Sequence, residues 1–225
     1  MTHSDDPVIR LAGRGDLEDM TALHCDSFKF GEHVPAMLGR HYVRAMYRWL
    51  VTSAVSYALV AEREGKIVGI VAVCDGPFTR PMFLACLPAF AVSLVRRPAL
   101  LFNHKLWSRL FRRPDVTSAG RKIADQPGFA QMTIGVVDKN CRGRGIFPAL
   151  VEETKTDSRR RRSRAIRAGS YKINQPSRRV FIKGRWIETP ELETEDTVFY
   201  VAYLDEAFAG ELGLRSAAAS DEKSV

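Results

Sequence analysis

The feature that most constrains the fold is a glycine-containing loop between a strand pattern and a helix pattern. Residues 131–137 have strand character, and residues 147–157 keep their apolar side chains on one helical face. Between them runs Arg142-Gly143-Arg144-Gly145-Ile146-Phe147. Glycine allows a tight turn and close approach of a ligand. The free N–H groups at the start of a helix favour a phosphate. The sequence therefore predicts a strand–loop–helix unit that binds a phosphate group, with Arg142 and Arg144 adding positive charge.

Three classes of phosphate-binding loop are candidates for this glycine-containing segment, and two of them are disfavoured. A nucleoside-triphosphate loop needs Lys and then Ser or Thr after the last glycine, where this chain has Ile146 and Phe147. A dinucleotide-binding loop needs a third glycine and an acidic residue about 20 positions later. Pro148 and a basic stretch stand there instead. The class that remains binds the pyrophosphate of coenzyme A, and a plain strand–helix turn without a ligand is the alternative.

The loop resembles motif A of the GCN5-related N-acetyltransferase (GNAT) superfamily, whose usual form is Arg/Gln-x-x-Gly-x-Gly/Ala. Residues 142–146 fit its first five places, and Phe147 stands where the family prefers Gly or Ala. The resemblance extends in patches from Val8 to Leu204. It includes the hairpin Tyr57–Val73, with Gly69 in an Ile-Val-Gly-like stretch, and the asparagine Asn174 after the fifth strand.

This resemblance implies an α/β fold with a mixed, mostly antiparallel central sheet flanked by helices. It implies transfer of an acetyl group from acetyl-CoA to a primary amine by direct attack. Coenzyme A is expected in a cleft between the parallel strands Gln131–Val137 and Ala165–Ile173. The residues implied to bind it are the backbone of Val136 and Val137, the loop Arg142, Gly143, Arg144, Gly145, Ile146 and Phe147, and Asn174.

The residues that would move protons are less evident. Many GNAT members carry a Glu early in the fourth strand and a Tyr in the last helix, and this chain has Gln131 and Phe181 there. As substitutes we consider Asp75, at the end of a hairpin strand, and Tyr171. A base acting through water, or an amine that arrives neutral, would also serve. Because both usual groups are missing, a non-catalytic acyl-CoA-binding or regulatory protein is the rival hypothesis.

The domain organisation is predicted as one acyltransferase domain over residues 7–206, followed by a disordered tail at 210–225. A proline-rich helical insertion is expected at about 77–128, where apolar runs precede the pairs Arg96–Arg97 and Arg112–Arg113. We favour a helical cap that buries its apolar face on the domain. The alternatives are a lid that shapes an acceptor pocket and, less favoured, contact with a membrane surface.

The net charge of +8 does not by itself indicate a nucleic-acid-binding protein. Five of these charges lie in Arg159–Arg162 and Arg164, which leaves +3 for the rest of the chain. Cations at a helix end are favourable without any ligand, and we favour that explanation. Contact with the adenosine 3′-phosphate of coenzyme A is an alternative, and nucleic-acid contact is disfavoured. The four cysteines and five histidines show no metal-binding spacing, so no metal is expected. Reduced thiols and a polar N-terminus predict a cytoplasmic protein. The acceptor remains open, with a small molecule or an amino sugar favoured, and so does a homodimer.

Overall fold

A computed structural model describes residues 6–28, 33–111 and 126–211. Its described part contains one sheet in the order β1-β2-β3-β4-β5-β7-β6, in which β4 and β5 run parallel and all other neighbours run antiparallel. The predicted mixed, mostly antiparallel sheet is therefore confirmed. The strands are β1 (Val8–Leu11), β2 (Ser56–Arg63), β3 (Lys66–Asp75), β4 (Phe129–Val137), β5 (Ala165–Tyr171), β6 (Ile187–Glu188) and β7 (Thr197–Tyr203).

Helices cover both faces of this sheet. The helices are α1 (Leu17–Ser27), α2 (Val34–Leu38), α3 (Arg40–Thr52), α4 (Thr79–Arg96), α5 (His104–Phe111), α6 (Ile146–Arg160), α7 (Gln175–Lys183) and α8 (Glu206–Glu211). Helices α1 to α5 share one apolar core with the sheet, on what we call the α1 face. Helices α6 and α7 share a second core on the opposite side, the α6 face. None of the described helices is long and apolar enough to cross a membrane.

The predicted hairpin and helical insertion correspond to observed elements. Glu64 and Gly65 connect β2 to β3 with φ angles of 51° and 72°, as the right-handed twist of a two-residue hairpin requires. The insertion contains α4, a 3₁₀ turn at Pro98–Phe102 and α5, and its residues 112–125 lie outside the described ranges. Gly210 and Glu211 belong to α8, and the rest of the predicted tail also lies outside those ranges.

A β-bulge in β4 determines where the sheet opens. Ala72 pairs with Ile134 and Val73 pairs with Met132, so Thr133 is an extra residue without a partner on β3. A bulge bends its strand and increases the local twist. Residues two apart in a regular strand point to the same side of the sheet. Across the bulge they do not, because Met132 packs in the core of the α6 face and Ile134 packs in the core of the α1 face.

Candidate functional site

A cleft opens between β4 and β5 immediately after the bulge. The parallel pairing joins Phe129–Met132 to Ala165–Ala168 and ends there. Residues 133–137 of β4 and residues 169–171 of β5 then form the two sides of what we call the strand cleft. Gly135 and Gly169, one on each side, are both exposed. The cleft expected between these two strands thus begins at the bulge, where Thr133 has no ladder partner on β3.

The backbone of β4 presents polar groups to this cleft. The Asp138 N–H donates to Val68 O at 2.9 Å, so the amide of Asp138 faces β3. Because alternate residues of an antiparallel ladder point to the same neighbour, the amide of Val136 also faces β3. The amides of Gly135 and Val137 face the other way, toward the strand cleft. Of the two amides predicted to bind the donor, that of Val137 faces the strand cleft and that of Val136 faces β3. The amide of Gly135 faces the strand cleft as well.

The glycine loop lies at the open end of the strand cleft and leads into α6. Gly143 and Gly145 both have a φ of 78°, a left-handed conformation that disfavours other residues. Gly145 is the N-cap of α6, with no side-chain cap and no acidic residue in the first turn. The first helical bond runs from Ala149 N–H to Gly145 O at 3.0 Å. The amides of Ile146 and Phe147 therefore have no acceptor within the helix and can bind an anion.

Charge and backbone geometry reinforce this anion site. Arg142 and Arg144 are exposed beside the free amides. The Nε of Arg142 donates to Val137 O at 3.3 Å, which ties the loop to the end of β4. The Asn140 N–H donates to Asp138 Oδ1 at 2.7 Å and stabilises the turn before the loop. The arrangement suits a phosphate or pyrophosphate group at the mouth of the strand cleft.

Phe147 covers part of the α6 face of β4. A Cβ atom added to Gly135 would lie 2.8 Å from Phe147 Cε2, so the ring rests directly on the glycine backbone. The ring also meets Phe181 of α7 edge to face, with 6.0 Å between centroids. Phe147 thus reaches from α6 over Gly135 to α7, at the β4 side of the strand cleft, where Gly or Ala would leave open space. A ligand that extends from the loop along β4 on this face must pass beside the ring or displace it.

Asp75, one of the two predicted catalytic residues, lies away from the open part of the cleft. It ends β3 and pairs with Ala130, in the stretch where β4 is still bonded to β5. Thr133 is three residues farther along β4, a distance of about 10 Å. Asp75 Oδ1 accepts a bond from Ser163 Oγ at 3.1 Å. Burial raises the pKa of Asp75, against the opposing effects of Ser163 and Arg161. The assignment of Asp75 as the base stays a prediction that its position does not favour, because its carboxylate faces Ser163 at the closed end.

Tyr171 and Asn174 lie at the opposite, open end. Tyr171 is the last residue of β5 and is 45% exposed. Asn174 is the N-cap of α7, and its Oδ1 accepts a bond from Ser177 N–H at 3.2 Å. Tyr171 therefore remains a candidate for contact with a reacting group. For Asn174 the structure shows a capping role.

The two positions where many GNAT members carry their acid and base are occupied by groups already engaged elsewhere. Gln131 Oε1 accepts a hydrogen bond from Nη2 of Arg167, its partner across the parallel pair. Phe181 is buried and stacks on Tyr200, with 5.3 Å between centroids. Neither side chain can exchange a proton with a ligand.

A pair of histidines on the α1 face, of which His24 is buried and His33 is partly buried, was not predicted. His24 Nδ1 lies 3.0 Å from Tyr47 Oη, and His24 Nε2 lies 3.1 Å from His33 Nδ1. Burial, followed by the charge of His33, lowers the pKa of His24 to about 3, so it is neutral. Spacings of 9 and 23 residues carry no periodic signal that would have linked these groups. Within the described ranges, no group of three His, Cys, Asp or Glu side chains could hold a metal ion.

No family model and no curated protein matches the chain, whereas several solved structures do. The N-acetyltransferase from Staphylococcus aureus Mu50 has 15% identity and a TM-score of 0.54, over 89% of this chain and 99% of its own. The PaiA N-acetyltransferase from Thermoplasma acidophilum, solved in complex with coenzyme A, has 10% identity and a TM-score of 0.55, over 88% and 98%.

A third match is the ribosomal-protein-alanine N-acetyltransferase from Brucella melitensis, with 18% identity and a TM-score of 0.51, over 87% of this chain and 99% of its own. At such identities the similarity is one of fold. The cleft between the fourth and fifth strands and the glycine loop before α6 follow the pattern that motif A implied. The chain therefore has the GNAT fold, the α/β fold of the GCN5-related N-acetyltransferases.

Proposed function

We propose that residues 7–206 form a single N-acetyltransferase domain that moves an acetyl group from acetyl-CoA to a primary amine. The observation that carries this proposal is the continuity of two features, the anion site at the glycine loop and the strand cleft that begins beside it. An acyl-CoA has the matching layout, since a charged pyrophosphate is followed by an extended amide-containing arm. We favour a small-molecule acceptor, amino sugars included. Because Cys25, Cys74, Cys86 and Cys141 are all free thiols, we place the protein in the cytoplasm.

The proposed donor position follows from the direction of the polar groups. The pyrophosphate would bind the amides of Ile146 and Phe147 and the guanidinium groups of Arg142 and Arg144. The arm would then run along β4 and pair with the amides that face the strand cleft. The thioester end would point toward the bulge at Thr133.

The reaction would proceed by direct attack within the strand cleft. The amine nitrogen attacks the thioester carbonyl carbon, and an amide of β4 stabilises the oxyanion that develops. The C–S bond then breaks, the amine loses a proton and the thiolate of coenzyme A leaves. Tyr171, at the open end of β5, is our candidate for protonating the thiolate. Because Asp75 is bonded to Ser163 at the closed end, the amine proton would pass to water, or the amine would arrive neutral.

A second function is supported by a specific observation. Gln131 is bonded to Arg167 and Phe181 is buried in an aromatic stack, so both usual acid–base positions are inert. A protein that binds acyl-CoA without turning it over would have this arrangement. The two functions share the donor site and differ only in whether the thioester is cleaved.

Calorimetry with coenzyme A and a thiol-release assay with acetyl-CoA separate these functions. We expect Arg142→Gln and Arg144→Gln each to raise the Kd of coenzyme A by about fivefold to tenfold, since each removes a charge-assisted contact. Arg159→Gln and Arg162→Gln remove the same charge elsewhere and should leave the Kd unchanged. Thiol release that depends on an amine, measured across a broad amine panel, supports the acetyltransferase. Binding without release supports the non-catalytic function, and absence of binding refutes both.

A further inference from the structure

Helix α4 has an apolar face that the described parts of the chain leave exposed. Its inner side packs into the α1-face core through Cys86 and Phe90. Its outer side is exposed along the whole helix, at Leu84, Leu87, Pro88, Ala91, Val92 and Val95. Leu84 is 53% exposed and Val95 is 81% exposed. A surface helix normally carries charged residues on its outer side, yet residues 81–95 contain none. The favoured sequence interpretation, a cap that buries its apolar face, therefore describes only the inner side of α4.

The exposed apolar surface continues into the 3₁₀ turn after α4. Leu101 is exposed there, and Phe102 is 88% exposed. The parts of the chain outside the described ranges, residues 1–5, 29–32, 112–125 and 212–225, contain no two adjacent large apolar residues. They offer no apolar run that could cover a helix face of five turns. A contiguous surface of this kind in a folded protein indicates an interaction site.

The charge within the chain segment that forms this surface is entirely positive. The chain has no Asp or Glu between Asp75 and Asp115, and the same stretch carries seven Lys and Arg residues. Arg80 stands at the first turn of α4, and Arg96 and Arg97 stand at its end. An apolar face with cations at both ends is complementary to the surface of an anionic phospholipid membrane, which presents phosphates above an apolar interior.

A recess of about 300 Å³ lies at the arginine end of α4. Its lining includes Gly39, Arg40, Ser93, Arg96 and Arg97. A Cβ atom added to Gly39 would lie 3.4 Å from the guanidinium carbon of Arg97. Arg97 therefore extends over the N-cap of α3. Guanidinium groups bind phosphate oxygens well, often in a bidentate manner. The recess is thus suited to a phosphate headgroup at the point where the apolar face of α4 ends.

We propose that α4 and the 3₁₀ turn Pro98–Phe102 form a docking surface for an anionic phospholipid membrane. In the docked state α4 lies in the plane of the membrane interface, with its apolar side chains among the acyl chains and its arginines among the phosphates. A second copy of the chain fits this surface poorly. Pairing two α4 helices in either direction brings Arg80, Arg96 and Arg97 against arginines of the other copy, and this segment has no carboxylates to neutralise them. The proposal stands independently of the acetyltransferase activity.

Vesicle flotation with the full chain tests the proposal. The probes are vesicles of phosphatidylcholine alone and of phosphatidylcholine mixed with phosphatidylglycerol, each at low and at high salt. We expect binding to the anionic vesicles only, weakened by salt. A variant with Leu84, Leu87 and Val95 all changed to Gln should lose roughly tenfold or more of its partition coefficient. A variant with Arg80, Arg96 and Arg97 changed to Gln should lose about fivefold for each charge.

Two matched control variants keep this test specific. The apolar control changes Val8, Val55 and Ile182 to Gln, three exposed apolar residues on other elements. The basic control changes Arg159, Arg160 and Arg162 to Gln. Both should bind the anionic vesicles as the unmodified protein does, and circular dichroism should show that all four variants are folded. Absence of binding at low salt, or equal losses in the controls, overturns the proposal. A dimer in light scattering that the α4 apolar variant dissociates also overturns it, because a second copy would then cover the face.

Discussion

The ring of Phe147 rests on the backbone of Gly135 at the β4 side of the strand cleft, and a double-mutant cycle tests this contact. In Gly135→Ala the new methyl carbon would lie 2.8 Å from Phe147 Cε2 and 3.2 Å from Cζ. Carbon atoms prefer a separation of about 3.5–4.0 Å, so the ring must move by about 1 Å. Phe181 limits that movement through its edge contact with the ring. We expect the crowding to cost about 1–3 kcal/mol in free energy of unfolding.

The second arm of the cycle removes the ring. Because Phe147 is only half-buried, Phe147→Ala should cost about 2 kcal/mol, less than the loss expected for a fully buried phenylalanine. In the double variant the methyl group introduced at position 135 has open space above it, so the crowding disappears. The double variant should therefore be more stable than the sum of the two single changes predicts, by about 1–3 kcal/mol.

Urea unfolding followed by tryptophan fluorescence measures these free energies. Trp186 packs against Phe181, with 5.1 Å between ring centroids, and reports on the same aromatic cluster. Gly15→Ala is a matched control, because an added Cβ there meets nothing within 4 Å. Costs that add to within about 0.5 kcal/mol would refute the described contact. Phe147→Ala should also lower the Kd of coenzyme A if the ring narrows the strand cleft, and an unchanged or higher Kd would contradict that view.

Three further predictions concern buried polar groups. His24 has a pKa of about 3 in the folded chain and about 6.5 when unfolded, so it contributes stability that is lost as the pH falls below 6.5. Between pH 7 and pH 5 this loss is about 2 kcal/mol, and His24→Gln should remove that part of the pH dependence in urea unfolding. Asp75→Asn should leave the kcat of acetyl transfer unchanged across pH, and a tenfold lower kcat would support Asp75 as the base. Tyr57→Phe removes the 2.6 Å bond between Tyr57 Oη and Ser158 Oγ and should cost about 1–2 kcal/mol. Adding Ser158→Ala should recover part of this cost in the same unfolding assay, since no hydroxyl is then left without its partner.

Local sequence signals were sufficient for the parts of the fold whose geometry depends on neighbouring residues. Strand-forming Val, Ile, Tyr and Ala residues in β2 and β3 and the Glu64–Gly65 turn identified the hairpin. The glycines of the loop identified the helix N-terminus at which an anion could bind. The short strand Ile187–Glu188 was not predicted, because two residues are too few to show a period of two.

The bulge at Thr133 could not be read from the sequence, because an extra residue in a strand has no compositional signature. For that reason the amides that face the strand cleft were predicted only approximately, as Val136 and Val137. The position of Asp75 has a different explanation. In an antiparallel pair the end of β3 lies beside the start of β4, whereas the glycine loop follows the end of β4. Topology alone therefore separates Asp75 from the loop.

Residues that meet only through tertiary structure were also beyond prediction. His24, His33 and Tyr47 come together because α1 and α3 pack side by side, and no spacing in the sequence anticipates it. The outer face of α4 is a similar case. Its apolar residues predicted a helix correctly, but when a helix is apolar on both sides, periodicity does not say which side is covered.

The bulge in β4 has a consequence for how sequences with this fold can change over time. It turns main-chain amides, at Gly135 and Val137, toward the cleft, and every residue type except proline supplies an amide. Mutation of side chains along β4 therefore leaves these donors in place, provided that the chain path is kept and the cleft stays open. Insertion or deletion of a single residue near Thr133 would instead rotate the amides away from the cleft. In such a strand, the number of residues matters more than their identity, because main-chain amides and not side chains face the cleft.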